Sequence, residues 1–571
     1  MFDLSPFDGA HPAGESKILP LGAAEKILQT NRLAVDLHGR RMFVQWDPDA
    51  PVTPLGQLVY FCQFLATGGV FAEWVADCPV RYTSPNAPSL TNVLGTTTLA
   101  NLGGSKHYSH VTALRNDSIN ASGLGMSRVV SEDSVRRAFI GEAPEPLEAW
   151  QRKHLIKSVG PVLREPWICD VDVTIKTLYG HQEGAEVGYN PHKPGRAAHA
   201  YHTFFVSPLR LALDVVVAPG KQSHSKAVAP NLWSWWEQLP AECRPHLMRF
   251  DCGFGNEDFL LGCEERNQKY LSRLRMTKRV ERLIRNLCRS GGWQSCGKGW
   301  EGKEDKLRLS GWSKSRRVIV LRRRIEADKP KEPEVASAAL PEVDPTKSLE
   351  MAAEAQPPVD VPKAAEVVPA GPMELNKAKE PKAVGPTQME FVTMPNGESY
   401  EYVVLVTNTE LEILSLARLY RERADSENAI GELKGQWGWG GFVTQDLLRC
   451  QVAARNVALI YNWWSLFVRC AEPQRPREAI TSRPLLMYAV GRLVSHANQT
   501  TLILTSSHAQ ADKAQELLTD LSRFLSGLRT TAEQLTSADR WKRIWERILT
   551  PFRAMEAACR MLFGQEPKLT G

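Results

Sequence analysis

Between residues 166 and 275 the spacing of apolar side chains switches repeatedly between two periods. In PWICDVDVTIKTLYG the alternation is strict. Ile168, Asp170, Asp172 and Thr174 fall on one face, and Cys169, Val171, Val173 and Ile175 on the other, which predicts a strand. The same reasoning predicts strands over AYHTFFV (200–206), LRLALDVVVA (209–218), HLMRFD (246–251) and KYLSRLR (269–275), with helices over 226–239 and 257–265. Three strands, helix, strand, helix, strand implies a mixed sheet with helices on its faces. Residues 1–165 read as mainly helical. Residues 450–571 read as mostly helical with a hairpin at 490–506, and YEYVVLVTN (400–408) as one more strand.

Other stretches carry their own signals. ASGLGMSRVVSEDSVRRAF (121–139) has the shape of a helix, a glycine-containing turn and a second helix, with Ser131 as N-cap and Arg136 and Arg137 following; this resembles a DNA-binding helix-turn-helix. The longest apolar run, residues 55–76, contains Gln57, Gln63, Glu73 and a Gly pair, so a buried helix pair is expected rather than a membrane span. The first residues, MFDLSPFDGAHPAGE, lack the basic and apolar regions of a signal peptide. Residues 326–390 hold eleven prolines and no aromatic residue, and are expected to be disordered or loosely attached.

Composition adds less than distribution does. The 571 residues carry a net charge of only +6, but 269–324 hold eighteen Lys and Arg against four Asp and Glu, with Trp293, Trp300 and Trp312 interleaved. Cations mixed with flat rings suit a surface that grips phosphates and stacks on bases. GKGWEGKE (297–304) fails the phosphate-loop pattern at Glu304, so no nucleotide cofactor is expected. Eleven scattered cysteines, without CxxC, read as reduced thiols in a cytosolic protein.

The chemistry is carried by LARLYRERADSENAIGELKGQWGWGG (416–441), which predicts a helix running into a glycine stop. At about 100° per residue, Tyr420, Arg423, Glu427 and Lys434 share a stripe about 60° wide. A stripe that narrow usually holds leucines; here it presents an acid between cations and a phenol. Two further acids sit in or at the end of predicted strands, Asp172 and Asp251, where acids are poor strand formers. Three converging carboxylates would raise each other's pKa values unless a hard divalent cation neutralised them. Two such ions are the usual equipment for phosphoryl transfer at a phosphodiester.

Tyr-x2-Arg-x3-Glu-x6-Lys at 420, 423, 427 and 434 resembles the "YREK" motif of bacterial insertion-sequence transposases with a DDE active site. CDVDVTIKTLYGHQEGAEVGYNPHKPGR, HYSHVTALRND (107–117) and SEDSVRRAF (131–139) resemble one group of them, the insertion sequences numbered thirteen-eighty. The resemblance implies an α/β fold. Its centre is an RNase H-like catalytic core (a mixed five-stranded sheet with helices), with a β-rich insertion and helical N- and C-terminal regions. The expected boundaries are a helical DNA-binding region at 1–165, the first part of the core at 166–275, a basic β-rich insertion at 276–410 that includes 326–390, the third-acid helix region at 411–470, and a helical region at 471–571. Asp172, Asp251 and Glu427 are implied as catalytic residues and as ligands for two Mg²⁺ (or Mn²⁺) ions. Tyr420, Arg423 and Lys434 are implied at transposon-end phosphates, with one of the three tryptophans stacking on a flipped base. The implied activity is cleavage and strand transfer at terminal inverted repeats, by a homodimer on double-stranded DNA, in a bacterial cytoplasm with no membrane partner. Three rival readings are an RNase H-fold nuclease without strand transfer, a non-catalytic DNA-binding protein, and a scaffold acting through the Pro/Ala-rich segment.

Overall fold

The computed structural model describes residues 33–325, 391–393 and 399–563, apart from 39, 48, 49, 192, 223, 476, 498, 506 and 507. The Pro/Ala-rich segment and the first residues therefore lie outside the described chain. Two compact units divide the chain: Met1–Ala138 with Trp464–Gly571, and Phe139–Trp463.

The first unit begins with the hairpin β1 (Leu33–Leu37) and β2 (Arg40–Val44), the short β3 (Val52–Thr53), and helices α1 (Leu58–Gly68), α2 (Val70–Ala76), α3 (Leu90–Leu102), α4 (Ser118–Gly123) and α5 (Glu132–Arg137). The long apolar run of the sequence is the pair α1 and α2, bent by 67°. Phe61, Phe64, Leu65 and Trp74 are buried there. Among the described residues no single helix is long and apolar enough to cross a membrane. The helix-turn-helix expectation is not met. Residues 124–131 separate α4 from α5, whereas that motif joins its helices by three or four residues. Ser131 caps α5 by accepting from the Ser134 N–H, but the helix is only six residues long. Arg136 and Arg137 both pair with Asp133, Arg137 at 2.9 Å.

The second unit is built on one sheet. Its strands are β4 (Ile168–Thr177), β5 (Glu186–Val187), β6 (Ala197–Val206), β7 (Leu211–Pro219), β8 (Leu247–Phe250), β9 (Tyr270–Arg273), β10 (Gln294–Ser295), β11 (Trp300–Leu307), β12 (Arg316–Arg324), β13 (Phe391–Thr393) and β14 (Ser399–Thr407). Its helices are α6 (Pro144–Val159), α7 (His224–Gln238), α8 (Glu257–Glu265), α9 (Lys278–Arg289), α10 (Ile413–Arg421), α11 (Ala424–Gln436) and α12 (Leu447–Ala471), the last of which runs into the first unit after Trp463. The central spatial order is β7-β6-β4-β8-β9. β4 and β6, and β6 and β7, are antiparallel; β4 and β8, and β8 and β9, are parallel. β7 is buried almost throughout, as expected of a strand covered on both faces. Its one acid, Asp214, is held by Arg152 at 3.0 Å and Arg455 at 2.9 Å. The strands of the basic region continue this same sheet, because β14 pairs antiparallel with β9, β12 with β14, and β11 with β12. α10 packs on one face through Ile413, Leu416 and Ala417, against Leu271, Ile319, Leu321 and Leu405.

The single helix expected over 416–441 is two helices. Glu422 and Arg423 keep helical dihedrals, but the Arg423 N–H bonds to the carbonyl of Tyr420, three residues back. The cause lies across the sheet. The buried Arg249 guanidinium donates to the Leu419 carbonyl, the acceptor that a regular helix would offer to Arg423. A side chain inserted into the ladder tightens the turn and breaks the helix. α11 then ends as the sequence suggests, with Gly438 just beyond the Trp437 C-cap at φ 75°. After residue 504 of the hairpin β15 (Gly491–His496) and β16 (Gln499–Leu504), which follows α13 (Ala479–Leu486), the first unit closes with α14 (Ala511–Thr530) and α15 (Ser537–Phe563).

Candidate active site at the sheet edge

The alternation of β4 puts Asp170, Asp172 and Lys176 on one face. Each has a separate job. Asp170 is fully buried and pairs through both oxygens with Arg249, at 2.5 and 2.6 Å. It also accepts from the hydroxyl of Ser426, in the first turn of α11. Lys176 donates to the Tyr201 hydroxyl at 3.1 Å and to the Trp439 carbonyl, just past α11, at 3.0 Å. Burial pushes its pKa down to about 8. α11 is thus fastened to β4 near both of its ends, and Asp172 lies between the fastenings.

The parallel register pairs Asp170 with Arg249 and Val171 with Phe250. Continued by one residue, it sets Asp172 beside Asp251, one strand spacing (~4.8 Å) away. Glu427 comes from the first turn of α11. Arg423, in the helix break, ties the acids together: its Nη2 lies 2.8 Å from Asp172 Oδ2, and its Nη1 donates to Glu427 Oε1 at 2.9 Å. Its Nε has no hydrogen-bond partner among the described residues. Arg423 is buried, Asp251 half-buried and Glu427 exposed. Burial is the largest influence on Asp172 and pushes its pKa up to about 6. Arg423 opposes that shift, while the charges of Asp251 and, more weakly, Glu427 add to it. Tyr420 is half-buried, and its hydroxyl is pushed up to about 12, mainly by burial, so it stays protonated and can donate.

Among the described residues no three His, Cys, Asp or Glu side chains stand at metal-ligand spacing; the Arg423 guanidinium is paired with two of the acids. The donor set nonetheless fits a hard divalent cation. It consists of carboxylate oxygens, one of them in a buried carboxyl whose ionisation its acidic neighbours oppose.

The expected polar stripe takes a different form. Its angles do not carry across the break, so Tyr420 belongs to α10, Arg423 to the turn, and only Glu427 and Lys434 share α11. Lys434 is exposed. Trp312 is a core residue, 5% exposed, with the Arg316 guanidinium 5.0 Å from its ring centre, so it presents no stacking surface here. Trp293 and Trp300 are partly exposed; Arg322 lies 4.1 Å from the first ring and Arg323 5.1 Å from the second. Sequence reasoning set Asp170 on the face of Asp172 without giving it a partner, and passed over Arg249 and Ser426. The available signal was the lone Arg249 inside the apolar strand LMRF, which demands a buried partner. It also passed over Arg273 and Arg275, whose charges act on Tyr420 and Cys252 beside Asp251.

No curated protein matches the chain. Among solved structures it is similar to a cryo-EM structure of a piggyBac transposase synaptic complex with hairpin DNA, at 9% identity and a TM-score of 0.34, over 87% of this chain and 85% of that one. The sequence matches a family described as a transposase DDE domain over residues 163–463, more than half of the chain and a span that includes Asp172, Asp251 and Glu427. The chain belongs to the DDE transposase domain family.

Proposed function

We propose that this protein is the transposase of a bacterial insertion sequence of the YREK type, in the group numbered thirteen-eighty, and that β7-β6-β4-β8-β9 form an RNase H-like core. In this reading it acts in the bacterial cytoplasm as a homodimer on double-stranded DNA, cutting at the terminal inverted repeats of its element and joining the ends to target DNA. The observation that carries the reading is that Asp172 and Glu427 share one guanidinium, with Asp251 next to Asp172 on the neighbouring strand, within a domain of the DDE family.

Asp172, Asp251 and Glu427 would hold the divalent cations, two Mg²⁺ or Mn²⁺. When bound, such ions supply Lewis-acid activation of the attacking and leaving oxygens of a phosphodiester. The protein's own groups do the rest. The Asp170–Arg249–Ser426 cluster and Lys176 fix α11 against β4, so that Glu427 approaches Asp172 in one register. Arg423 balances the charge of Asp172 and Glu427 and stands at the edge where a DNA phosphate would be bound. The protonated Tyr420 hydroxyl donates to the backbone at the same edge, and Lys434 adds charge two turns along α11. Of the three tryptophans, Trp293 and Trp300 keep ring surface for a displaced base.

Incubation of the purified chain with inverted-repeat duplex, a target plasmid and Mg²⁺ tests this. Joined products that disappear in D172N, D251N and E427Q are expected. Nicking without joining would indicate a nuclease instead, and no metal-dependent nicking would leave only a DNA-binding protein.

A further inference from the structure

The basic region is not uniformly available to a partner. On β12, Arg316 is engaged by Glu257 and Glu264, Arg317 by Glu304, Arg322 by Glu301 and Arg323 by Glu401, at 2.5–2.7 Å. On α9 the situation is reversed. Val280, Leu283, Ile284 and Leu287 are buried, and Cys288 meets the Tyr402 hydroxyl of β14 at 3.3 Å. At about 100° per residue, Lys278, Arg282, Arg285 and Arg289 fall on one stripe about 60° wide on the opposite side, and all four are exposed. The only acid on the helix, Glu281, lies 3.7 Å from Arg285 in a solvent-exposed pair, which neutralises little. Lys278, Arg282 and Arg289 have no carboxylate partner among the described residues.

The placement of this ridge is as informative as its charge. Residues 274–277 alone separate α9 from β9, and Thr277 caps the helix by accepting from the Val280 N–H. Arg273 and Arg275, at that junction, act electrostatically on Tyr420 and Cys252, next to Asp251. A run of cations therefore begins beside the acids and continues along α9.

We propose that the outer stripe of α9 is a track for the phosphate backbone of the substrate duplex, which carries DNA away from the cutting site. This rests on the transposase reading and adds the surface by which DNA is held without regard to sequence. From 278 to 289 the stripe spans about 16 Å, which faces about five phosphates of one strand. Three of the four cations are arginines, whose planar fork matches phosphate oxygens. A row of cations spaced along one helix face matches a row of backbone phosphates, a contact that fixes position without reading sequence.

The test is the salt dependence of binding by the full chain, measured by fluorescence anisotropy on two duplexes of equal length, one with the inverted repeat and one unrelated. Each lost phosphate contact flattens the plot of log affinity against log salt by about 0.9. R282Q/R285Q/R289Q is expected to flatten the slope by about 2.7 on both duplexes, and R282K/R285K/R289K to restore most of it, which separates lost charge from misfolding. R317Q/R323Q, which removes two cations already engaged by acids, is expected to change the slope by less than about 0.5. A slope unchanged in the triple Gln variant, or reduced equally by R317Q/R323Q, overturns the track. A wild type that binds DNA but never nicks it overturns the transposase reading while leaving the slopes to decide the track. A wild type that does not bind DNA overturns both.

Discussion

Arg423 is buried and pairs with Asp172, whose side chain is 13% exposed, with Nη2 and Oδ2 2.8 Å apart, at the one place where the helix carrying the third acid is broken. The guanidinium also holds Glu427. The guanidinium is thus the counter-charge for Asp172 and Glu427, and a divalent cation proposed at these acids would share its ground.

That relationship sets the first expectation. Arg423→Gln leaves the Asp172 carboxylate buried without its cation, a change that costs about 3 kcal/mol for a buried pair. Thermal unfolding at pH 8 in EDTA should show the variant well below wild type, and Mg²⁺ should raise its Tm by more than it raises that of wild type. Equal responses to Mg²⁺ would mean that Arg423 does not share ground with the cation.

A second expectation concerns the fastening of α11. Arg249→Met strands Asp170 as a buried charge and should cost about 3–5 kcal/mol in urea unfolding. Ser426→Ala keeps the Asp170–Arg249 pair and should cost only about 1 kcal/mol. Arg249→Met combined with Asp170→Leu should recover much of the loss, because no unpaired charge remains. A single Arg249→Met as stable as wild type would show that the buried Asp170–Arg249 pair does not hold the fold.

Acid stability gives a third. Burial alone would raise the pKa of Glu257, but hydrogen bonds from Arg316 and Ser313 more than reverse this and bring it to about 2. Its folded pKa lies below the unfolded value, so its contribution is fully present above about pH 4.5 and is lost as pH falls toward 2. Wild type should therefore lose more stability than Glu257→Gln between pH 5 and about 2.5. Parallel curves would show that the pair contributes nothing to acid stability.

The order of the core elements was legible because its periods are unmistakable: β4, β6, β7, α7, β8, α8 and β9 follow the alternating and helical stretches one for one. Asp172 and Asp251 stood out because acids in strands require a reason. What escaped the sequence depends on residues far apart along the chain. The break before Arg423 is imposed by Arg249, 170 positions from the carbonyl that it takes. No local propensity marks the step from Glu422 to Arg423. The extension of the core sheet by β14, β12 and β11 is likewise a matter of long-range register, which periodicity does not encode. Trp312 reads as a flat ring among cations in either case, and only its packing under Arg316 makes it core. The helix-turn-helix reading failed because capping signals at Ser131 locate a helix start but not the length of the connection before it.

The central claim is that Asp172, Asp251 and Glu427 act as one cation site in DNA cleavage. The most direct measurement follows Mn²⁺ binding by titration calorimetry, alongside nicking of an inverted-repeat duplex, for wild type, D172N, D251N and E427Q. The account expects each variant to lose both cation binding and nicking while keeping the wild-type circular-dichroism spectrum. Retention of Mn²⁺ binding and nicking by any one of the three would contradict it.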